Sequence, residues 1–182
     1  MSAETPRVMI REASGQQTWK EHELPDLRSL TRELRALAPA LVAPAATVDD
    51  AVECIAAQFG FTGGVTFVDV TTPVGAVRIL RDSLPHIVEK RADARERYVR
   101  YALDTLTGPF EVWKVLYTND DYRLAFIGAY EAKNQMLVVV TVKDGLLLWN
   151  FMHGDARSMN KHRHGELLFR RYEIESKEKG QL

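Results

Sequence analysis

Two clusters in the 182-residue sequence carry side chains suited to chemistry. The first runs from His86 to Trp113, HIVEKRADARERYVRYALDTLTGPFEVW. It opens on a histidine, continues as an arginine-rich amphipathic helix, and passes through Gly108-Pro109 into a strand. The second lies near the C-terminus and holds His153, Asn160, His162, Arg163 and His164. An imidazole, with an ordinary pKa of about 6.5, exchanges a proton near working pH. A guanidinium gives two parallel charge-assisted hydrogen bonds to phosphate oxygens. Such groups suit proton transfer beside a bound anion. Each also has a plainer role. His86 is read equally as a satisfied histidine near a helix start, Arg95 as a surface partner of Glu96, and Arg163 as part of an exposed KHRH run. Thr105, late in the helix, offers a hydroxyl to a ligand or bonds back to a helix carbonyl. Asn160 contacts a ligand or closes a turn. Trp113 and Trp149 are stacking platforms or core residues of their strands. His162 and His164, with His153 nearby, have zinc-like spacing. No cysteine supports that site and no HExxH is present, so no metal and no cofactor is expected.

The elements that must position these groups follow from periodicity. Leu27, Leu30, Leu34 and Leu37 recur at helical spacing, with Arg28, Arg32 and Arg35 off the stripe, and Pro39 and Pro44 end that helix. Thr47 is placed to cap a short helix with Asp49 and Asp50 in its first turn, ending at Gly60. From Val65 the period changes to two. Thr72-Pro73-Val74-Gly75 marks a turn between two strands. Ser83 is a candidate cap for the helical segment containing Pro85 and His86; a break is expected near Arg91 to Asp93, and the main helix then runs to about Leu106. Beyond Pro109 a meander is expected, with strands at 110–117, 122–131, 136–142 and 146–151 and a last one at 167–172. Residues 136–140 are nearly continuously apolar, which makes that strand central. The fold class is therefore α+β: N-terminal helices, then one long helix packed on a mainly antiparallel sheet of about four to six strands. The division expected is a helical appendage over 1–60, a domain over 61–176 and a frayed tail over 177–182.

Composition bounds the function. The chain is 46% apolar and 27% charged with a formal net charge of -1, which gives no global nucleic-acid signature. Basic residues outnumber acidic ones by seven to four between Arg78 and Arg100, and again between Arg157 and Lys179. Two mildly basic patches suit a local anion site or ordinary solvated helix faces. The lone Cys54 sits in an apolar run, excludes an intrachain disulfide and is expected to be small, buried and inert. No signal sequence and no apolar run long enough to cross a bilayer is visible. No Walker loop, GxGxxG or GxSxG is present.

His86, the Arg95-to-Tyr98 run, Thr105-Leu106, Pro109 and Glu111-Val112-Trp113 occur in a recognisable order. They are followed by Leu148-Trp149-Asn150-Phe151 and by Asn160, Arg163, Gly165, Glu166, Leu167 and Leu168. Over roughly 65–172 this series resembles the phage-associated barnase–EndoU–colicin–RelE-like (BECR) nuclease domains. These are found at the C-terminus of Mu-type minor head morphogenesis proteins and as toxin-like modules. The resemblance implies metal-independent ribonuclease action, in which the RNA's own 2′-hydroxyl attacks the phosphate. Such a reaction needs a base for the 2′-proton, an acid for the 5′-oxygen and cations around the phosphorane. His86 is then expected to do proton transfer, Arg95 and Arg163 to hold the phosphate, and Thr105 to assist as a catalytic hydroxyl. Asn160, Trp113 and His164 would contact substrate, with His164 or His153 as the second acid–base group.

The expected partner is RNA, tRNA or mRNA, with an immunity protein or phage head proteins as further partners and no membrane. The expected location is the host cytoplasm or the virion. The competing reading is a non-catalytic head-morphogenesis module that keeps the fold and binds phage proteins. Group transfer such as ADP-ribosylation on a similar scaffold ranks last, for want of a nucleotide-binding motif.

Overall fold

The structure, a computed structural model, describes residues 9–173. Its centre is one seven-stranded sheet. The strands are β1 (Phe67–Thr72), β2 (Gly75–Leu80), β3 (Glu111–Leu116), β4 (Tyr122–Gly128), β5 (Gln135–Val142), β6 (Leu146–Gly154) and β7 (Glu166–Arg170). Their order across the sheet is β1-β2-β6-β5-β4-β3-β7. β5, the strand with the longest apolar run, is therefore central. The sheet exceeds the expected four to six strands and is mixed. β2 pairs with β6 in parallel, over only Val77↔Leu146 and Arg78↔Leu147, while every other neighbouring pair is antiparallel. The N-terminal β1–β2 hairpin supplies the extra width. Its two-residue turn is closed by Gly75 at φ 125 and by the Thr72 hydroxyl, which accepts from Val74 N–H at 3.2 Å.

Both faces of the sheet are covered. On one, Val112, Leu124, Phe126, Val138, Leu148 and Phe151 pack beneath α1 (Val48–Phe59), α2 (Leu84–Val88) and α3 (Val99–Thr107). α1 forms as its sequence dictates. Thr47 accepts from Asp50 N–H at 3.1 Å, and Gly60 takes the left-handed cap at φ 89. On the other face Trp113, Val115, Ile127 and Leu137 pack beneath Leu24, Leu27, Leu30 and Met159, the last from α4 (Ala156–Asn160). The alternation of faces along the regular stretches of the strands separates the two cores.

Several expectations need correction. The leucine-spaced stretch near the N-terminus is not a regular helix but two 3-10 turns, Leu27–Ser29 and Arg32–Leu34. Its backbone is engaged elsewhere: Ala36 N–H donates to Ala129 O and Glu131 N–H donates to Ala36 O. The Arg35 guanidinium donates to the carbonyls of Leu27 and Tyr130. The main helix is also short. α3 begins only at Val99, preceded by 3-10 turns at Arg91–Asp93 and Arg95–Tyr98 that flank Ala94 at φ 44. Glu96, fully buried, draws that segment inward by accepting from both terminal nitrogens of Arg91, at 2.6 and 2.8 Å. Ser83 makes no side-chain cap. Cys54 is only half-buried, and burial raises its thiol pKa. The tail 177–182, expected to fray, lies outside the described residues.

Candidate active site on the sheet face

A register shift in β6 creates the most chemically loaded surface. Val139 faces Asn150 and Val140 faces Leu148, so Trp149 is the extra residue of a β-bulge. A bulge bends its strand and re-aims a side chain. Here it leaves Trp149 40% exposed, while Leu148 and Phe151, three apart, share one core. Trp149 and Asn150 line a cavity of about 200 Å³ with Glu12, Tyr117, Arg123 and His162. A neighbouring cavity of about 160 Å³ shares Tyr117, Arg123 and Trp149 and adds Lys143.

Arg123 is the charge at the centre of this surface. It projects from β4 and makes no ion pair among the described residues. Its guanidinium lies over the rings of Tyr117, at 4.5 Å, and Trp149, at 5.2 Å. A guanidinium over two aromatic rings, with no carboxylate among the described residues in contact, is preorganised to bind an anion. His162 stands in the same cavity. Burial depresses its pKa, so the ring is neutral near pH 7 and able to accept a proton. Glu12 is turned towards His164, whose hydrogen bond at 2.7 Å holds the carboxylate below the usual range. Sequence reading weighed His162 only as a zinc ligand and passed over Arg123 and Glu12. Nothing in their local spacing marks them, because three separate strands and loops assemble the site.

Of the seven residues singled out in sequence, two reach this surface. The His86 ring lies 5.1 Å from Trp149, half-exposed, with Nδ1 3.5 Å from Glu89. Arg95 donates to Asn150 Oδ1 at 2.9 Å and sits 3.4 Å from Asp93. Three others belong to one internal network. Arg163 is fully buried and donates through Nε and Nη2 to the two oxygens of Glu111, at 2.5 and 2.8 Å. Its Nη1 donates to Pro25 O and to Asn160 Oδ1. Asn160 also donates to Asp26 Oδ1 at 2.8 Å, and Trp113, fully buried, donates its indole N–H to Glu111 at 3.0 Å. Tyr172 bonds to Glu111 as well, and burial raises its phenol pKa well above the ordinary value. The guanidinium of Arg163 thus has a protein acceptor for each of its three nitrogens and no open side. Thr105 is equally closed in. Fully buried, it hydrogen-bonds the Tyr130 hydroxyl at 2.9 Å against Gly128, where any side chain would strike it.

His164 is the seventh. Its Nδ1 meets Lys161 O at 3.1 Å and its Nε2 meets Glu12 Oε2 at 2.7 Å. Both partners accept, so the ring satisfies both only as imidazolium, and the Glu12 hydrogen bond raises its pKa accordingly. His153 stacks on Tyr98 with centroids 3.7 Å apart, and its buried Nδ1 has no hydrogen-bond partner among the described residues; burial lowers its pKa. Among the described residues no helix is long and apolar enough to cross a membrane.

Neither a curated protein nor a solved structure matches the chain. A family model does match, over residues 56–170, which takes in all seven strands, the His86 and Arg95 segments and both histidines of the C-terminal loop. Its span is well over half of the 182 residues, and the chain therefore belongs to the phage-Barnase-EndoU-ColicinE5/D-RelE like nuclease2 family.

Proposed function

We propose that this protein is a metal-independent endoribonuclease whose reaction centre is the bulged sheet face around Arg123. The observation that carries this reading is a guanidinium, without an ion-pair partner among the described residues, sharing a cavity with a histidine whose pKa burial lowers, in a chain of a nuclease family. Arg123 would hold the scissile phosphate and stabilise the charge of the phosphorane. His162 would take the 2′-hydroxyl proton, and the freed oxygen would attack phosphorus to give a 2′,3′-cyclic phosphate. His86, at the open rim beside Trp149, would return a proton to the leaving 5′-oxygen. Arg95 acts through Asn150, whose side chain it fixes, and not by touching the phosphate. The phosphate-binding roles expected of Arg163 and Thr105 pass to Arg123 in this arrangement.

Purified protein should cleave single-stranded RNA in the presence of EDTA and leave 2′,3′-cyclic ends. Arg123→Ala should lower kcat/KM by about 10²–10³-fold, the typical effect of losing one transition-state donor. Because burial depresses His162, the acid limb of the pH–rate profile should fall below about 6.5, and His162→Gln should abolish that limb. If wild type and Arg123→Ala both leave tRNA and mRNA intact, the fold serves as a phage-protein binding module and the enzyme reading is wrong.

A further inference from the structure

The bulge in β6 also fixes an amide in a defined orientation beside the exposed indole. Asn150 Oδ1 accepts twice, from Arg95 Nη1 at 2.9 Å and from its neighbour Phe151 N–H at 2.8 Å. Both partners are donors, so the two ends of the amide cannot be exchanged. The Nδ2 end is therefore the one left over, and it has no hydrogen-bond partner among the described residues. Asn150 lines the same cavity as Trp149. Trp149 is the extra residue of the bulge and keeps a large exposed surface at the boundary of the two cavities, with Arg123 and His86 beside it. A flat aromatic surface, an adjacent free N–H donor and a nearby guanidinium match the three parts of an unpaired nucleotide: its base face, an acceptor on its base edge and its phosphate.

We infer that Trp149 and Asn150 form a nucleobase subsite for single-stranded RNA, in which the base stacks on the indole and Asn150 Nδ2 donates to an acceptor on the base edge. The inference rests on the reading of Arg123 as a phosphate site, and it names the substrate as unpaired. A duplex base is stacked on both faces and cannot reach the indole. Arg95 is a positioning residue here. By occupying Asn150 Oδ1 it keeps the donor end free for the base. Lys143, which lines the second cavity, offers a further cation for a neighbouring phosphate.

Binding separates this inference from catalysis. Wild type and variants are titrated with a short 2′-O-methyl oligonucleotide, which cannot be cleaved, and with a series in which each position in turn is abasic. Trp149→Ala should weaken binding by about tenfold or more, as expected for one lost stacking contact, while Trp149→Phe should retain most of it. Asn150→Asp keeps the partnership with Arg95 but replaces the donor by an acceptor, and should weaken binding severalfold. One abasic position should weaken wild type as much as Trp149→Ala does and have no further effect on that variant. A duplex of the same sequence should bind far less well than the single strand. Equal affinity of wild type, Trp149→Ala and Asn150→Asp for the intact strand overturns the subsite, as does an abasic penalty that persists undiminished in Trp149→Ala. If the subsite is found but natural RNA is never cleaved, the binding inference stands and the nuclease reading falls.

Discussion

At the scale of single residues, the structure distinguishes a charge that is available from one that is not. Arg123, on β4, and Arg163, in the loop between α4 and β7, are the same side chain, yet one lies against two aromatics with no ion-pair partner among the described residues and the other is enclosed by Glu111, Pro25 and Asn160. Removing one member of a buried ion pair leaves an uncompensated charge, typically at a cost of about 3–5 kcal/mol. Arg163→Ala should therefore lower the unfolding free energy extrapolated from urea titration by that amount, whereas Arg123→Ala should leave it almost unchanged and affect activity instead. A stable, folded Arg163→Ala protein with specific loss of phosphate binding would restore the role first expected of it. The pair His164–Glu12 gives a pH signature. His164 is raised in the fold, so its contribution is complete below the ordinary histidine value of 6.5 and is lost as pH rises through the folded value. Glu12 is depressed, so its contribution is present above the ordinary 4.5 and is lost as pH falls through the folded value. The pair should therefore contribute most between those two limits. Both side chains reach solvent, which limits the effect to below about 1 kcal/mol. His164→Gln should flatten the alkaline fall in stability measured by urea unfolding from about pH 6 to 9.

At the scale of elements, the sequence was most legible where local chemistry decides the outcome. The α1 caps at Thr47 and Gly60, the turn at Pro73-Val74 and the order of strands from Glu111 onwards all follow from nearest-neighbour signals. It was least legible where distant groups compete for the backbone. Leucine spacing cannot reveal that Ala36 will bond to Ala129 and Glu131, nor can an arginine-rich run reveal that Glu96 will turn inward to Arg91. The site suffers the same limit. His86 and Arg95 stood out because they lie in one dense stretch, whereas Arg123 and His162 meet only across the sheet. The bulge at Trp149 is invisible to alternation counting, since it is where the count slips along β6. The junction before α3 offers a test. Ala94 holds φ 44, a region that costs a residue with a Cβ about 1–2 kcal/mol and costs glycine little. Ala94→Gly should raise the thermal midpoint, with the gain reduced by the added freedom of the unfolded chain. A fall in the midpoint would mean that the turn before α3 is held by something other than its backbone geometry.

At the scale of the whole molecule, residues 9–46, ahead of the family-matched region, pack against the sheet. Leu24, Leu27 and Leu30 are buried against Trp113, Ile127 and Leu137. Burying each leucine stabilises the fold by about 1.5–3 kcal/mol. Trp19 N–H donates to Arg163 O, Gly165 N–H donates to Gln17 O, and Pro25 O accepts from the buried Arg163 guanidinium. Glu12, beside Tyr117, lines the Arg123 cavity and favours the protonated form of His164 through its hydrogen bond. Cutting the chain before residue 47 would therefore remove three core leucines, strip an acceptor from a buried cation and open the wall of the site in one step. The three leucines alone amount to about 4.5–9 kcal/mol, comparable with the roughly 5–15 kcal/mol by which a domain of this size is usually stable. A protein beginning at residue 47 should accordingly be largely unfolded when followed by circular dichroism and by urea titration, although it contains the whole matched span. Supplying residues 1–46 as a separate chain should restore structure and a saturable transition. A truncated protein that unfolds cooperatively at the same urea concentration as the full chain would show that the sheet stands without its second covering layer, and that the first 46 residues are an appendage after all.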